Sequence, residues 1–391
     1  MKNKLFFSIG IIFLFILTAV PFASAEDGVT DTTVKIGWIG DLTGPVAINA
    51  TPVLDGIKMY AKSVNDKGGI NGRKLNILSE TDNYAPSQTV AAAKKLIASD
   101  KIFCMVGNIG AHTTASIIPL LQKSKTPLLF PGSASTSLYT PPKKYVFSIM
   151  STYETESRIH ADYIVNTIEK PRVFVIYMDT SLGKEPLGGI KDQLKKYGVD
   201  IIGAAAHKPT AVDFSSQALQ CREAKANAVV IYSIGRPTAS FLLECKKINY
   251  KPQFILFSSE CVDALLKLAG DAVEGAVGTH VVSLLNSKDP EVDEYKSVLK
   301  KYYPAKKPRV IELIGYTMMR AAGDAIKKCG RNLTRDKLIN VLESFKNYDS
   351  GAFGPVTFNR NRRIGADNVV YLAVKGGKYV YLVPGWHTYK K

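Results

Sequence analysis

The side chains best suited to holding a ligand lie within residues 106–137, VGNIGAHTTASIIPLLQKSKTPLLFPGSASTS. Two turns rich in Gly, Ala, Ser and Thr, at 107–114 and 131–137, each follow a short apolar run, and a helical stretch separates them. Short apolar runs bounded by turn residues predict strands, so both turns fall at strand ends. If those strands are parallel neighbours, the turns share the sheet edge at which open α/β sheets bind ligands. Small residues there let the backbone approach a ligand closely, and the N–H groups that open a helix attract an anion. Ser133 and Ser135 either offer hydroxyls at that edge or satisfy their own backbone in the turn. His112 either donates to an anion or is an exposed turn residue. Farther on, Arg236 follows a strand end and precedes Pro237. An Arg there forms a surface ion pair or grips a carboxylate through its planar fork. Glu260, after the next strand, neutralises Arg236, pairs with a ligand amine, or does neither. The chemistry on offer is capture of a small anion.

Motifs for catalysis are missing from the same stretches. Gly37, Gly40 and Gly44 near a strand end do not make GxGxxG, and no GK[ST] supplies a phosphate loop. There is no G-x-S-x-G elbow, and Ser133 has no evident base. The five Cys and five His show no CxxC and no metal-ligand spacing, so no cofactor or metal is implied. Cys221 and Cys245, on successive predicted helices, are a candidate disulfide pair, with buried free thiols as the alternative.

The elements that must position these residues follow from the rest of the chain. Its 391 residues, 46% hydrophobic and 22% charged, suit two domains or one large one with real cores. Residues 1–25 carry Lys2 and Lys4, an apolar run and Ala23-Ser24-Ala25, the layout of a secretory signal peptide cleaved near Ala25. The two lysines of that segment take two from the net charge of +17 and leave +15. The basic residues are scattered along the chain, as on a solvated face, or they draw an anionic ligand or membrane surface. An exported protein without a basic-aromatic cluster does not suggest nucleic acid as a partner.

From Thr33 to Phe130, and again from Ser151 to Val282, apolar runs and helical stripes alternate, with the first helix expected to open at Thr51-Pro52 and Pro141 to Ser148 expected to connect the two units. That predicts two α/β units with doubly wound parallel sheets. Three helical segments without strands of their own follow Ser283. A hairpin signal flanks Gly376-Gly377 near the end. Late segments that return to earlier sheets imply several crossings, hence a hinge and a cleft.

Several stretches together resemble the periplasmic leucine/isoleucine/valine-binding proteins, the substrate-binding subunits of branched-chain-type ABC importers. They are VKIGWIGDLTGPVA, VNDKGGINGRKL, the 106–135 unit, LAGDAVEGAVGTHV and FGPVTFN, in order along the chain. The resemblance implies the type I periplasmic binding protein fold, two doubly wound α/β lobes joined by a three-crossing hinge. The first lobe would hold residues 31–149 plus 283–354, and the second 150–282 plus 355–391. It also transfers ligand positions. The first-lobe hydroxyl expected in the turn before His112 falls on Ala111, and the Thr of the next turn falls on Ala134, between Ser133 and Ser135. A Tyr of the first turn falls near Asn49, a ligand-covering Tyr near Leu182 and a second aromatic near Arg236. The acid that meets a ligand ammonium aligns with Glu260.

The implied function is a periplasmic binding protein that is not an enzyme. It would enclose an amino acid or related small carboxylate between its lobes and pass it to membrane permease subunits. The substitutions at Ala111, Ala134, Leu182 and Arg236 point away from a standard α-amino acid, and an aliphatic or aromatic organic acid is the alternative. A sensory ligand-binding domain of the same fold and an exported enzyme are the readings from other classes.

Overall fold

The computed structural model describes residues 26–44 and 46–391, so the signal peptide expected over residues 1–25 lies outside the described residues. The chain begins with β1 (Thr33–Gly40), α1 (Ala47–Asn65), β2 (Lys74–Thr81), α2 (Pro86–Lys94), β3 (Cys104–Val106), α3 (Ala111–Ser124), β4 (Leu128–Leu129) and β5 (Val146–Phe147). It continues with α4 (Tyr153–Thr167), β6 (Val173–Met178), α5 (Ser181–Lys196), β7 (Ile201–His207), α6 (Ser215–Glu223), β8 (Ala228–Tyr232), α7 (Arg236–Lys247), β9 (Gln253–Leu256), α8 (Asp263–Ala269) and β10 (Val277–His280). Helices α9 (Pro290–Tyr302), α10 (Val310–Cys329) and α11 (Arg335–Glu343) follow, then β11 (Tyr348–Asp349), β12 (Pro355–Val356), β13 (Asn368–Lys375) and β14 (Lys378–Thr388).

The first lobe is a parallel sheet in the order β2-β1-β3-β4-β5. Helices α1 and α10 cover one face. Val53, Ile57, Leu313 and Met319 join Trp38 and Val106 in one cluster. Helices α2 and α3 cover the other, where Ala93 and Ile117 meet Ile39 and Met105. The second lobe orders its strands β14-β13-β10-β9-β8-β6-β7. Strands β10 to β7 are parallel, and β13 and β14 are added antiparallel. Every residue of β8, AVVIY, is buried, as in a strand covered on both faces. Two doubly wound α/β lobes are thus present, as the sequence pattern predicts.

Three segments pass between the lobes: residues 148–152, 281–289 and 357–367. Hydrogen bonds join them to the first lobe and to each other. Ser148 N donates to Arg363 O at 2.8 Å, Gly365 N to Ser148 O at 2.8 Å and Ser283 N to Ala352 O at 2.7 Å. Ser151 Oγ donates to Asn368 O at 2.7 Å, and Asn368 Nδ2 to Pro355 O at 2.9 Å.

Three local features differ from expectation, each for a physical reason. Helix α1 opens at Ala47 rather than at Thr51-Pro52, and Pro52 lies inside it. The buried Asp41 carboxylate accepts from Thr43 N at 3.1 Å, Gly44 N at 2.5 Å and Val46 N at 2.8 Å, which turns the chain into the helix early. Val146 and Phe147, expected in a connection, add a fifth strand to the first sheet. Residues 355–366, expected in the second lobe, pack with the first: Phe358 meets Phe147 edge-to-face at 5.4 Å and stacks on Phe130 at 6.2 Å. We propose that the return to the second lobe begins at β13. The hairpin turns at Gly376 and Gly377 with φ of 58° and 68°, the left-handed pair that a two-residue hairpin needs. All five Cys are free and buried, and burial pushes the Cys221 thiol up to about 12, so it is unreactive at neutral pH.

Candidate functional site

Because β1, β3 and β4 run parallel to one another, as do β6, β8 and β9, the turns after the first three share one edge of the first sheet and those after the second three share one edge of the second. A side chain of α5 spans the two edges. Glu185 accepts from Ser135 Oγ at 2.5 Å and from Thr136 N at 2.9 Å. The edges therefore face each other across one cleft.

In the first lobe the turn after β3 is held open by glycine. Gly110 caps α3 with φ of 101°, and a Cβ there would stand 2.4 Å from Thr113 Oγ1 and 2.7 Å from the Tyr84 ring. Ala111 and His112 are the first two residues of α3, so their N–H groups belong to the unpaired amides that begin a helix. His112 is exposed, with its Nε2 3.2 Å from Tyr84 O and its ring edge-to-face with Tyr84 at 4.3 Å. Asn49 is exposed in the first turn of α1 and makes no side-chain hydrogen bond among the described residues.

The turn after β4 is buried at Ser133, Ala134 and Ser135. Ser133 O accepts from Tyr139 Oη at 2.7 Å, and Ala134 O accepts from Tyr153 N at 2.9 Å. Two carbonyls of this turn are thus already engaged, and Ser135 Oγ is spent on Glu185. Tyr153 packs edge-to-face on Phe257 at 5.9 Å. Burial pushes its hydroxyl up to about 12, against the Ser259 hydroxyl, which lowers it.

In the second lobe Leu182, in the first turn of α5, packs against the cluster that contains Ile190, Tyr232 and Phe257. Arg236 is the first residue of α7, exposed and without an ion-pair partner among the described residues. Glu260 is only 1% exposed. One of its oxygens accepts from Gly235 N at 2.7 Å at the start of α7, and the other has no hydrogen-bond partner. It therefore joins the turn after β9 to the turn after β8. Arg236 and Glu260 do not meet in an ion pair.

Burial pushes the Glu260 carboxyl up to about 9, against the Gly235 amide and Thr238 hydroxyl, which lower it. The sign follows. The folded chain holds a proton that the unfolded chain releases near pH 4.5, so Glu260 costs stability as pH rises from about 4.5 to about 9. Glu260→Gln mimics the protonated form. In chemical denaturation across that window the variant is expected to lose stability less steeply than the native chain, by up to about 1.4 kcal/mol per pH unit. Parallel curves would contradict this protonation.

The turn that carries Ser259 and Glu260 rests on a buried polar group. Glu156 of α4, 1% exposed, accepts from Ser258 N at 2.5 Å, from Ser258 Oγ at 2.8 Å and from Thr279 Oγ1. Sequence reasoning missed Glu156 and Glu185. Neither lies at a strand end or in a glycine-rich turn, and each acts on a segment distant in sequence. Two surface hollows, of about 530 Å³ beside Leu243 and Lys247 and about 340 Å³ beside Asp289 and Trp386, involve none of the sheet-edge turns.

Similarity to known proteins agrees with this architecture. The family profile described as periplasmic binding protein matches residues 33–378. The leucine-specific-binding protein of Salmonella typhimurium is 25% identical over 266 residues, 68% of this chain and 71% of that one. A branched chain amino acid ABC transporter structure from Thermus thermophilus with bound valine superposes with a TM-score of 0.79 at 20% identity, over 91% of this chain and 96% of that one. A fatty acid ABC transporter substrate-binding protein from Thermomonospora curvata gives 0.80 at 22% identity, over 92% and 93%. A match over nearly the whole chain, on two doubly wound lobes that face one cleft, places this chain in the periplasmic binding protein family, the family of the leucine/isoleucine/valine-binding proteins, with the type I fold.

Proposed function

We propose that this protein is the exported substrate-binding subunit of a branched-chain-type ABC importer, taking an amino acid or related small carboxylate into the interlobe cleft. The observation that carries the reading is the convergence of six strand-end turns on one cleft spanned by three hinge segments. The relatives' solutes, leucine for the Salmonella protein, valine in the Thermus structure and fatty acid for the Thermomonospora protein, support the class of solute.

The mechanism is binding without bond chemistry. The amides that open α3 at Ala111 and His112 receive the solute carboxylate in the first lobe, with Ser133 and Ala134 as the floor beside them. Asn49 lies on the rim of that lobe. Arg236 approaches from the second lobe, and Leu182 and Tyr153 supply apolar cover. Closure about the hinge links these contacts to the surface that a permease recognises, because a ligand shifts the lobes only by binding one arrangement better.

A second reading, an organic acid without an amine, is favoured by Glu260. One of its oxygens accepts from Gly235 N, the other is buried without a partner, and burial pushes the carboxyl up to about 9, so at neutral pH it offers no charge to a ligand amine.

Calorimetric titration with amino acids and organic acids tests the proposal, with one-to-one saturable binding of a small carboxylate expected. Arg236→Ala should weaken that binding roughly tenfold to a hundredfold, the loss of a charge-assisted hydrogen bond. Unchanged affinity would remove Arg236 from the site, and turnover of the ligand would contradict binding alone.

A further inference from the structure

One carboxylate at the cleft belongs to the protein itself. Glu185 lies on the fifth position of α5 in the second lobe, partly exposed. Its two oxygens are divided between two donors of the first lobe, the Ser135 hydroxyl at 2.5 Å and the Thr136 amide at 2.9 Å. A hydroxyl and an amide aimed at the two oxygens of one carboxylate form the grip that a small acid would need. The grip is built into a rigid turn. Ser135 is 1% exposed, its hydroxyl also touches Ser137 Oγ at 2.9 Å, and Ala134 O is tied to Tyr153 N. Glu185 has no Lys, Arg or His partner among the described residues, and its neighbour Lys184 pairs with Asp179 at 2.6 Å instead. Among the described residues its side-chain hydrogen bonds are therefore all to the first lobe's donors.

We propose that Glu185 is an internal carboxylate that fills a carboxylate-binding site at Ser135 and Thr136, latching the lobes and reserving that site from solute. The contact spans the cleft itself, as distinct from the hinge. Two consequences follow. In the native chain the solute's carboxylate must use other donors, those at the start of α3 or Arg236. Removing Glu185 vacates a site whose chemistry suits any small monocarboxylate. This rests on the binding-protein reading only for the role of the cleft; the latch itself needs no solute.

The experiment therefore uses the mature chain stripped of co-purified solute, with acetate as the probe. Small-angle X-ray scattering compares the native chain, Glu185→Ala and Glu185→Gln. Glu185→Ala should shift the open-to-closed ratio roughly tenfold or more toward open, the effect of losing hydrogen bonds to a charged acceptor, and so raise the radius of gyration. Sodium acetate, but not equal sodium chloride, should return it toward the native value, while the native chain responds to neither salt. Glu185→Gln, which keeps an acceptor for the Thr136 amide, should lie between the two. Should Glu185→Ala fail to fold, Ser135→Ala, which removes one donor from the opposite lobe, should show the same opening and weaker acetate rescue. Variants as compact as the native chain, or an opening that acetate and chloride reverse equally, would overturn the proposal. Because no transported solute is present, a failed amino-acid titration with an intact latch would count against the proposed function alone.

Discussion

Gly315→Leu is expected to unfold the first lobe, at a cost of more than about 4 kcal/mol. Helices α1 and α10 cross with glycine on both sides. A Cβ on Gly315 would stand 2.0 Å from Val53 O, and one on Gly56 would stand 2.0 Å from Glu312 O. Extra carbon in a core usually costs about 1–3 kcal/mol, because side chains shift to admit it. Here the obstacles are carbonyl oxygens within helices, so the helices themselves must part. Their separation would open the cluster of Val53, Ile57, Leu313 and Met319. It would also loosen α10, which returns to this lobe only after the chain has passed through the second. A thermal melt should fall by about 10 °C or more, with Gly315→Ala already strongly affected. A melt within about 2 °C of the native chain would show that the crossing is not close-packed.

Glu156→Ala should damage both stability and binding. The Glu156 carboxylate is buried without a lysine or arginine partner among the described residues, and it holds Ser258 N, Ser258 Oγ and Thr279 Oγ1. His160 Nε2 lies 4.0 Å away and bonds to Thr279 Oγ1 at 2.8 Å. Burial pushes His160 down to about 3, so it is neutral at physiological pH and supplies no compensating charge. Truncation leaves the Ser258 amide and hydroxyl buried and unpaired and Thr279 with His160 alone, at about 1–3 kcal/mol for each lost partner, and a total near 3–5 kcal/mol is expected. Released from Glu156, the turn with Phe257 and Ser259 would no longer hold its place beside Tyr153, so solute affinity should fall at least tenfold. Glu156→Gln keeps an acceptor and should lose less of both. Full affinity in Glu156→Ala would mean that this turn does not shape the cleft.

What could be read from residues alone followed the reach of local patterns. The turns at 107–114 and 131–137 do lie at neighbouring parallel strand ends, because apolar runs and small-residue turns report local conformation directly. The Gly376-Gly377 hairpin was legible for the same reason. Strand β5 was not, since two residues cannot show a period. The early start of α1 depends on Asp41 reaching amides up to five residues ahead, a contact that helical spacing does not report. The candidate site was legible in placement rather than in partnership. Arg236 opens the helix that follows β8, as its place after an apolar run suggested, and Leu182 lies in the first turn of the helix that follows β6. That Glu260 faces Gly235, and that Glu185 crosses to Ser135, depend on how turns and lobes sit against each other in space, which no spacing along the chain encodes.

The central claim is that the cleft binds a small carboxylate without transforming it. Mass spectrometry of the small molecules released when freshly purified protein is denatured tests this most directly. The account predicts one predominant organic acid, with or without an amine, near one equivalent per chain, which rebinds unchanged to the stripped protein. Release of a molecule without an acid group, or recovery of a chemically altered product after rebinding, would contradict it.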